Sequence, residues 1–524
     1  MSLLLLWALS SDFSGPECDE DIILDRRDFL KYAAAGGILL SNKSLHVQFQ
    51  SAKKPNILWL IAEDFSPDLS CYGTPAVKTP NIDNLAGQGA RFTNAFTPSP
   101  VCSASRSGFM TGMYQTAIGA HHHRSHRGDG YIIGPGVKVI TDYFRQAGYF
   151  TSNCKDGNWT QSGKTDFNFT WSKPFDGTDW RQRAPDQPFY AQVNFKQTHR
   201  GFVNDPDNPI DPDTIELPPY YPDHPITRRD WADYLESTQI LDGKVGQVLK
   251  RLEDDGLADN TIVFFFGDHG RCHVRGKQFL YDGGIRIPLI IRWPGRIRRA
   301  TVVDDLVSAI DFGPTCLEAI GFTPPGYMQG RIFLGSGAKK RDYIFAARDR
   351  CDGTYDRIRC VRNKRYKYIR NFFPSRPYTA LYGNYSPARP YTAFNAYKWK
   401  QYPVLTVLWA LHNSGRLTPQ QELFMASSRP AEELFDLQND PHEVNNLAGN
   451  AQYQTIQNQL SNSLDDWVIE TQDQGEIIED TQVTTKELEN MESVHISTMA
   501  SRGFAPDVTP EQYLEYWKGK FGLA

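Results

Sequence analysis

The chain has 524 residues, 40% hydrophobic and 13% aromatic, and its 56 basic and 61 acidic side chains leave a formal charge of -5. Such a length holds one large domain with a smaller one, or two ordinary ones, and the composition is that of a globular protein. No basic stripe marks it as a nucleic-acid binder, so an anion would have to meet local rather than global positive charge.

Residues 1–50 read as a leader. Asp25-Arg26-Arg27-Asp28-Phe29-Leu30-Lys31 matches the twin-arginine export pattern and is followed by a short apolar run, Tyr32 to Leu40. That run is too short to span a bilayer, so no membrane span is expected. The expectation is an exported protein, periplasmic or extracellular, whose mature chain begins near Ser51. Seven cysteines follow the leader without a Cys-X-X-Cys pair, which argues against zinc and thioredoxin chemistry; no bridges are assigned.

Asn56 to Ala62 is a continuous apolar run of strand length, suited to a strand covered on both faces. It ends in Glu63-Asp64, two acids at the edge where a parallel sheet meets its ligands; adjacent buried acids repel unless a cation sits between them. Thr79-Pro80 starts a helix, and Phe92 to Phe96 is a short strand that leads into Pro98–Gly112. There Cys102 stands among small residues at the mouth of a helix beginning near Ser103, whose N–H groups would face an anion. Arg106 adds a guanidinium able to fork two oxygens of sulfate or phosphate. His121, His122, His123 and His126 read as loop histidines at a substrate rim, because consecutive histidines cannot all point at one metal.

Val137 to Gly148 predicts a helix, and Tyr149 to Thr151 a strand with two candidate lysines beyond it, Lys155 and Lys164. The strand Phe189 to Phe195 delivers His199 to its tip, where a proton donor would suit an imidazole. A Pro- and Asp-rich connection precedes a helix predicted over Trp231 to Glu253, with Gly256 as its stop. The strand Ile262 to Phe266 empties onto Asp268 and His269, repeating the pattern of Glu63-Asp64. Lys277 follows in Arg275-Gly276-Lys277. A strand from Ile344 ends in Arg348, Asp349 and Arg350, followed by a hairpin over Ile358 to Arg370, an aromatic stretch from Phe372 to Tyr397 and a helical tail beyond Gln452.

Cys-Ser-Ala-Ser-Arg followed by Met-Thr-Gly resembles the sulfatase signature, Cys-X-Pro-Ser-Arg then Leu-Thr-Gly, with Ala104 in the place of proline. Thr79 to Ala86, Tyr281 to Pro288 and Glu433 to Leu447 resemble further sulfatase blocks in family order. The resemblance implies an α/β fold with a mostly parallel central sheet sandwiched by helices, alkaline phosphatase-like, and a smaller C-terminal α+β domain with an antiparallel sheet. The expected division is a catalytic domain over 51–355 and a C-terminal subdomain over 356–524.

It also implies that a formylglycine-generating enzyme oxidises Cys102 to formylglycine. One hydroxyl of the hydrate then attacks sulfur, and the second expels sulfate by re-forming the aldehyde. Glu63, Asp64, Asp268, His269 and the oxygen at position 102 would hold Ca2+, with Mg2+ as the alternative. Glu63 departs from the family's aspartate. Arg106, Lys164, Lys277 and His199 would hold sulfate and serve the leaving group; Lys164 is preferred to Lys155 because Gly163-Lys164-Thr165-Asp166 keeps the family's Gly-Lys-X-His pattern with Asp166 in the histidine place. His123, Asp166, Arg348, Asp349 and Arg350 are the substrate-binding candidates. The histidine run and Arg348 to Asp352 are most similar to the N-sulfoglucosamine sulfohydrolase branch, which implies N-sulfated glucosamine of a heparan-type chain as substrate. The rival expectations are a phosphoesterase or phosphonate hydrolase of the same superfamily with Cys102 unmodified, and an inactive sulfated-glycan-binding protein.

Overall fold

The run Asn56–Ala62 forms β1, and every one of its residues is buried. In this computed structural model, which describes residues 53–126, 129–382 and 401–523, β1 lies inside an eight-stranded sheet. The leader, the twin-arginine motif within it and most of the aromatic stretch, from 383 on, lie outside the described residues. The other strands are β2 (Ala90–Phe96), β3 (Phe150–Lys155), β4 (Asn158–Ser162), β5 (Phe189–Phe195), β6 (Thr261–Gly267), β7 (Arg286–Arg292) and β8 (Thr301–Ser308). Their order is β4-β3-β5-β1-β6-β7-β2-β8. The neighbours β3, β5, β1 and β6 run parallel, as do β2 and β8, whereas β4 and β7 oppose their neighbours.

Alternate residues of a strand serve opposite faces. Ile57, Trp59 and Ile61 enter a core with Phe109, Ile140 and Phe312, contributed by helices on one side. Leu58 and Leu60 enter a second core with Ile226, Leu235, Leu241 and Val245 of the long helix on the other. Trp59 sits in an aromatic nest, with its ring centroid 5.3 Å from Tyr190, 5.4 Å from Phe266 and 6.0 Å from Phe109, each in edge-on geometry.

The long helix spans Pro225–Asp254 rather than starting at Trp231. Pro225 takes the first turn, where its missing N–H costs nothing, and the His224 side chain caps it by accepting from the Ile226 N–H. The helix expected over Val137 to Gly148 contracts to Ile140–Gln146, and Gly148 ends it at φ 88°.

A second sheet, wholly antiparallel, has the order β12-β11-β10-β9, formed by β9 (Ile344–Arg348), β10 (Ile358–Arg362), β11 (Tyr366–Asn371) and β12 (Glu432–Asp436). Ala347, Val361, Tyr368 and Leu434 on one face pack against Leu460, Leu464 and Trp467 of the helix Gln454–Glu470. Ala346, Cys360, Ile369 and Phe435 on the other join the core beneath the long helix. Both sheets lie in one compact unit, Pro55–Ala524. All seven described cysteines are free thiols, and no described helix is long and apolar enough to cross a membrane.

Candidate active site

Three strands end level. Ala62 of β1 pairs with Phe195 of β5 and Gly267 of β6, and the ladder runs one step further, Glu63 N–H donating to Phe195 O at 2.9 Å and Asp268 N–H to Ala62 O at 3.0 Å. Asp64, Asp268, His269 and His199 therefore leave the sheet at the same carboxyl edge, where open α/β sheets gather their ligands. Asp64 adopts φ 53°, a left-handed conformation that a short polar side chain tolerates, and its N–H donates to Asp268 Oδ1 at 2.9 Å.

The helix Cys102–Thr111 begins at the cysteine itself. No side chain caps its first turn, so the N–H groups and positive dipole end there favour negative charge at Cys102. Every residue of this helix is buried, which is why the sequence needs small side chains around Cys102. Gly270 holds the facing loop close: a Cβ there would lie 2.1 Å from Gly283 O.

Around Cys102 Sγ stand His269 Nε2 at 3.0 Å, Lys277 Nζ at 3.2 Å and Asp64 Oδ1 at 3.6 Å. Lys277 Nζ also donates to both Asp64 oxygens, at 2.9 and 2.8 Å, and His199 Nε2 approaches Asp64 Oδ2 at 3.8 Å. His269 Nε2 lies 3.0 Å from Asp64 Oδ1 and 3.7 Å from Asp268 Oδ1. Arg106 Nε donates to Asp268 Oδ2 at 3.0 Å and Nη1 to Asn194 Oδ1 at 2.6 Å, while Nη2 lies 2.9 Å from the same Asp268 oxygen without a hydrogen bond of its own. It thus orients Asp268.

The fields follow from this packing. Burial would raise the Asp64 carboxyl, yet Lys277, His199 and His269 hold it well below the usual carboxylate range. Burial likewise opposes ionisation of the Cys102 thiol, and Lys164, Lys277 and His269 overcome it and bring the thiol down. His269 is pushed up to about 10 against burial by Asp268, Cys102 and Asp64. At His199 the Asp64 carboxylate favours the charged ring, but burial and Lys277 outweigh it and hold the ring below its ordinary value. Residue 102 thus sits where an anion is stabilised.

Asp64, Cys102 and His269 offer ligand atoms that all lie within 4.8 Å of one another. Asp268 Oδ1 borders this set and accepts from the Asp64 and His269 N–H groups, the second at 3.0 Å. Carboxylate and imidazole donors, with an oxygen in place of the sulfur, fit a hard divalent cation. Glu63 departs from the expected ligand set, its Oε2 instead accepting from Lys164 Nζ at 2.9 Å.

That pair opens onto a cleft of about 610 Å³ lined by Glu63, Lys164, Asn194, His199, Lys155 and Arg124 among others. Asp166, at φ 54°, stands 3.6 Å from Lys164 Nζ and 3.8 Å from Arg124 Nε. Sequence reasoning missed Asn194 and Arg124; an asparagine one residue before the end of a wholly buried strand was the available signal for the first.

The other substrate-binding candidates form a separate, buried set. Arg348 lies 3.7 Å from Asp356, Asp349 pairs with Arg359 at 3.1 Å, and Arg350 is bound to Glu479 and donates to His123 O. His123 Nδ1 lies 3.4 Å from Asp352. Arg348, Asp349 and Arg350 are all buried.

A sulfatase family model matches residues 55–322, just over half of the chain, and a model of the N-sulphoglucosamine sulphohydrolase C-terminal region matches residues 267–414. The chain belongs to the sulfatase family. It is an enzyme of that family, a sulfuric ester hydrolase, and its two-sheet architecture is the family's alkaline phosphatase-like fold. It is 35% identical to an ulvan-active sulfatase of Formosa agariphila over 79% of this chain and 75% of that one. It is 24% identical to the N-sulphoglucosamine sulphohydrolase of Homo sapiens over 80% of this chain and 91% of the relative. Among solved structures, a protein bound to its substrate D-glucosamine-2-N,6-O-disulfate shares the fold with a TM-score of 0.57, at 18% identity over 81% of this chain and all of that one.

Proposed function

We propose that this sulfatase hydrolyses a sulfate ester or sulfamate on a sulfated glycan in the cleft beside Cys102. The observation that carries this reading is the convergence of an imidazole, an ammonium and a carboxylate on the Cys102 side chain, at 3.0, 3.2 and 3.6 Å. A formylglycine at this position, made by a formylglycine-generating enzyme, would supply as its hydrate a hydroxyl nucleophile for sulfur. Asp64, Asp268, His269 and the residue-102 oxygen would hold Ca2+ or Mg2+, whose charge lowers the cost of an anionic oxygen there.

The chain's own groups do the rest. Lys277 neutralises Asp64 and reaches the residue-102 side chain, so it stabilises negative charge on the sulfate oxygens as it grows. Lys164, steadied by Glu63 and Asp166, adds a second ammonium on the cleft side. His199, partly open to the cleft beside Asp64, is placed to pass a proton to the departing oxygen or nitrogen. Arg106 fixes Asp268. The export signal over 1–50, a catalytic domain over 51–355 and a C-terminal subdomain over 356–524 remain part of this reading.

Two observations bear on the sugar. Identity of 35% to an ulvan-active sulfatase favours ulvan. The match to the N-sulphoglucosamine sulphohydrolase C-terminal region favours N-sulfoglucosamine as a second reading. Sulfate release should be measured on ulvan fragments, on N-, 2-O- and 6-O-sulfated glucosamine saccharides, and on phosphate and phosphonate esters, alongside the mass of the peptide bearing residue 102. Sulfate release with formylglycine at 102 is the expected result. A retained thiol in protein that cleaves only phosphorus esters would overturn the proposal, and binding without release from a matured protein would leave only a glycan-binding role.

A further inference from the structure

A second cluster of ligand-type side chains lies outside the catalytic set. His123, Cys351 and Asp352 offer an imidazole nitrogen, a thiol sulfur and a carboxylate oxygen that all lie within 4.8 Å of one another. His123 is 7% exposed and Cys351 1%, while the Asp352 side chain, at 13%, keeps a path to solvent.

Three segments far apart in the sequence meet here. His123 follows the helix Cys102–Thr111; its N–H donates to Arg350 O at 2.9 Å, and Arg350 Nη2 donates back to His123 O at 3.0 Å. Cys351 and Asp352 come just beyond β9, where Cys351 and Thr354 exchange backbone hydrogen bonds at 3.2 Å and Asp352 takes a left-handed φ of 51°. Gln278, one residue beyond Lys277, donates from Nε2 to Asp352 Oδ2 at 3.0 Å. His122 is not part of the cluster, because its Nδ1 accepts from the Arg350 N–H at 3.2 Å.

Two buried polar atoms of this group have no hydrogen-bond partner, His123 Nε2 and Gln278 Oε1. Leaving such atoms unmatched costs the fold desolvation that nothing returns. Both can offer a lone pair, which is what a cation requires of its ligands. The donor set also indicates which cation. Thiolate with imidazole suits Zn2+, whereas Asp64, Asp268 and the residue-102 oxygen suit Ca2+ or Mg2+. A deprotonated Cys351 together with Asp352 would balance the charge of the ion. The nearby cations have acids of their own: Arg350 is bound to Glu479, Arg348 stands 3.7 Å from Asp356, which it shares with Arg429, and Arg124 stands 3.8 Å from Asp166. Arg348 is also close enough to Cys351 to favour its thiolate.

We infer that His123, Cys351 and Asp352 form a site for a thiolate-preferring divalent cation, Zn2+, with Gln278 as an adjoining fourth group, separate from the cation of the catalytic centre. The ion would tie the loop after the Cys102 helix to the second sheet and, through Gln278, steady the loop that carries Lys277.

The test uses the full chain carrying Cys102→Ser, in excess Ca2+, so that Cys351 is the one thiol left in either ligand cluster. Co2+ should bind at one equivalent per chain with a thiolate-to-cobalt charge-transfer band in the near ultraviolet, and Zn2+ should displace it and raise the melting temperature. Adding Cys351→Ser should remove the band and weaken Zn2+ binding by more than the roughly 10–100-fold lost with an outer partner of a metal site, and Gln278→Ala should weaken it within that range. His123→Gln, which keeps the thiol, is the second variant should Cys351→Ser fold poorly, and it should weaken Zn2+ binding likewise. Absence of the band at saturating Co2+, or Zn2+ affinity unchanged in both Cys351→Ser and His123→Gln, would overturn the inference. Binding is read without substrate, so the result stands whether or not the protein releases sulfate.

Discussion

At the scale of single residues, the site is a set of buried charges that answer one another, and removing one leaves its partner exposed to a low dielectric. Arg106 and Asp268 are 1% and 0% exposed. Arg106→Met should therefore destabilise the fold by about 3–5 kcal/mol, the usual cost of stripping a buried carboxylate of its counter-ion; a urea titration of the two proteins checks this. Lys277→Met should act differently. Lys277 touches both Asp64 and the residue-102 side chain. Its loss should lower kcat for sulfate release by about 10²–10³, the range for deleting one preorganised stabilising donor. Steady-state kinetics on the best saccharide, with circular dichroism to confirm the fold, would show it. Glu63, the acid expected beside Asp64 at the cation, accepts from Lys164 Nζ at 2.9 Å.

At the scale of elements, the level ends of β1, β5 and β6 matter more than any one loop, because parallel register alone sets Asp64, Asp268 and His199 on one edge. That register is held by side-chain packing on both faces of β1. Trp59 is fully buried among Tyr190, Phe266, Phe109 and Phe312. Trp59→Ala should cost about 3–5 kcal/mol through lost burial and the cavity left behind, read as a shift in the denaturant midpoint with the slope unchanged. The glycine-tight loop from Gly270 to Gly284 plays the complementary part: it brings Lys277 back to the strand ends, and its close backbone approaches leave no space for side chains at those glycines.

At the scale of the whole molecule, two conditions should govern stability and activity. His273 is buried among Phe202, Trp231 and Tyr234, and burial pulls it down from 6.5 to about 4, with Asp230 only partly opposing. Between those pH values the unfolded chain holds a proton on this ring that the folded chain does not. Stability is then complete above about pH 6.5 and is lost as pH falls toward 4, on the order of 3 kcal/mol from this ring. Melting temperature recorded across that window should fall on acidification, and less steeply in His273→Gln. Chelation is the second condition. EDTA should abolish sulfate release and lower the melting temperature, because a bound ion stabilises only the folded state. Restoration by Ca2+ or by Mg2+ would identify the ion, and full activity after exhaustive chelation would rule out the proposed cation.

The sequence by itself determined the apolar strands of the sheet, the helix mouth at Cys102 and the family. Long apolar runs such as Asn56 to Ala62 have few ways to be covered on both sides, and the Cys102 segment carries its signature in consecutive residues. It also placed Asp64, Asp268, His269 and Lys277 near one another, through their positions at strand ends and in a recognisable block. Only the tertiary structure decided where the remaining charges point. Arg106 met Asp268 and Asn194, Glu63 met Lys164, and Arg350 met Glu479. The physical reason is that a buried charge goes to whichever opposite charge packing brings within hydrogen-bond reach, and that neighbour lies tens to hundreds of residues away in the chain, beyond any local pattern.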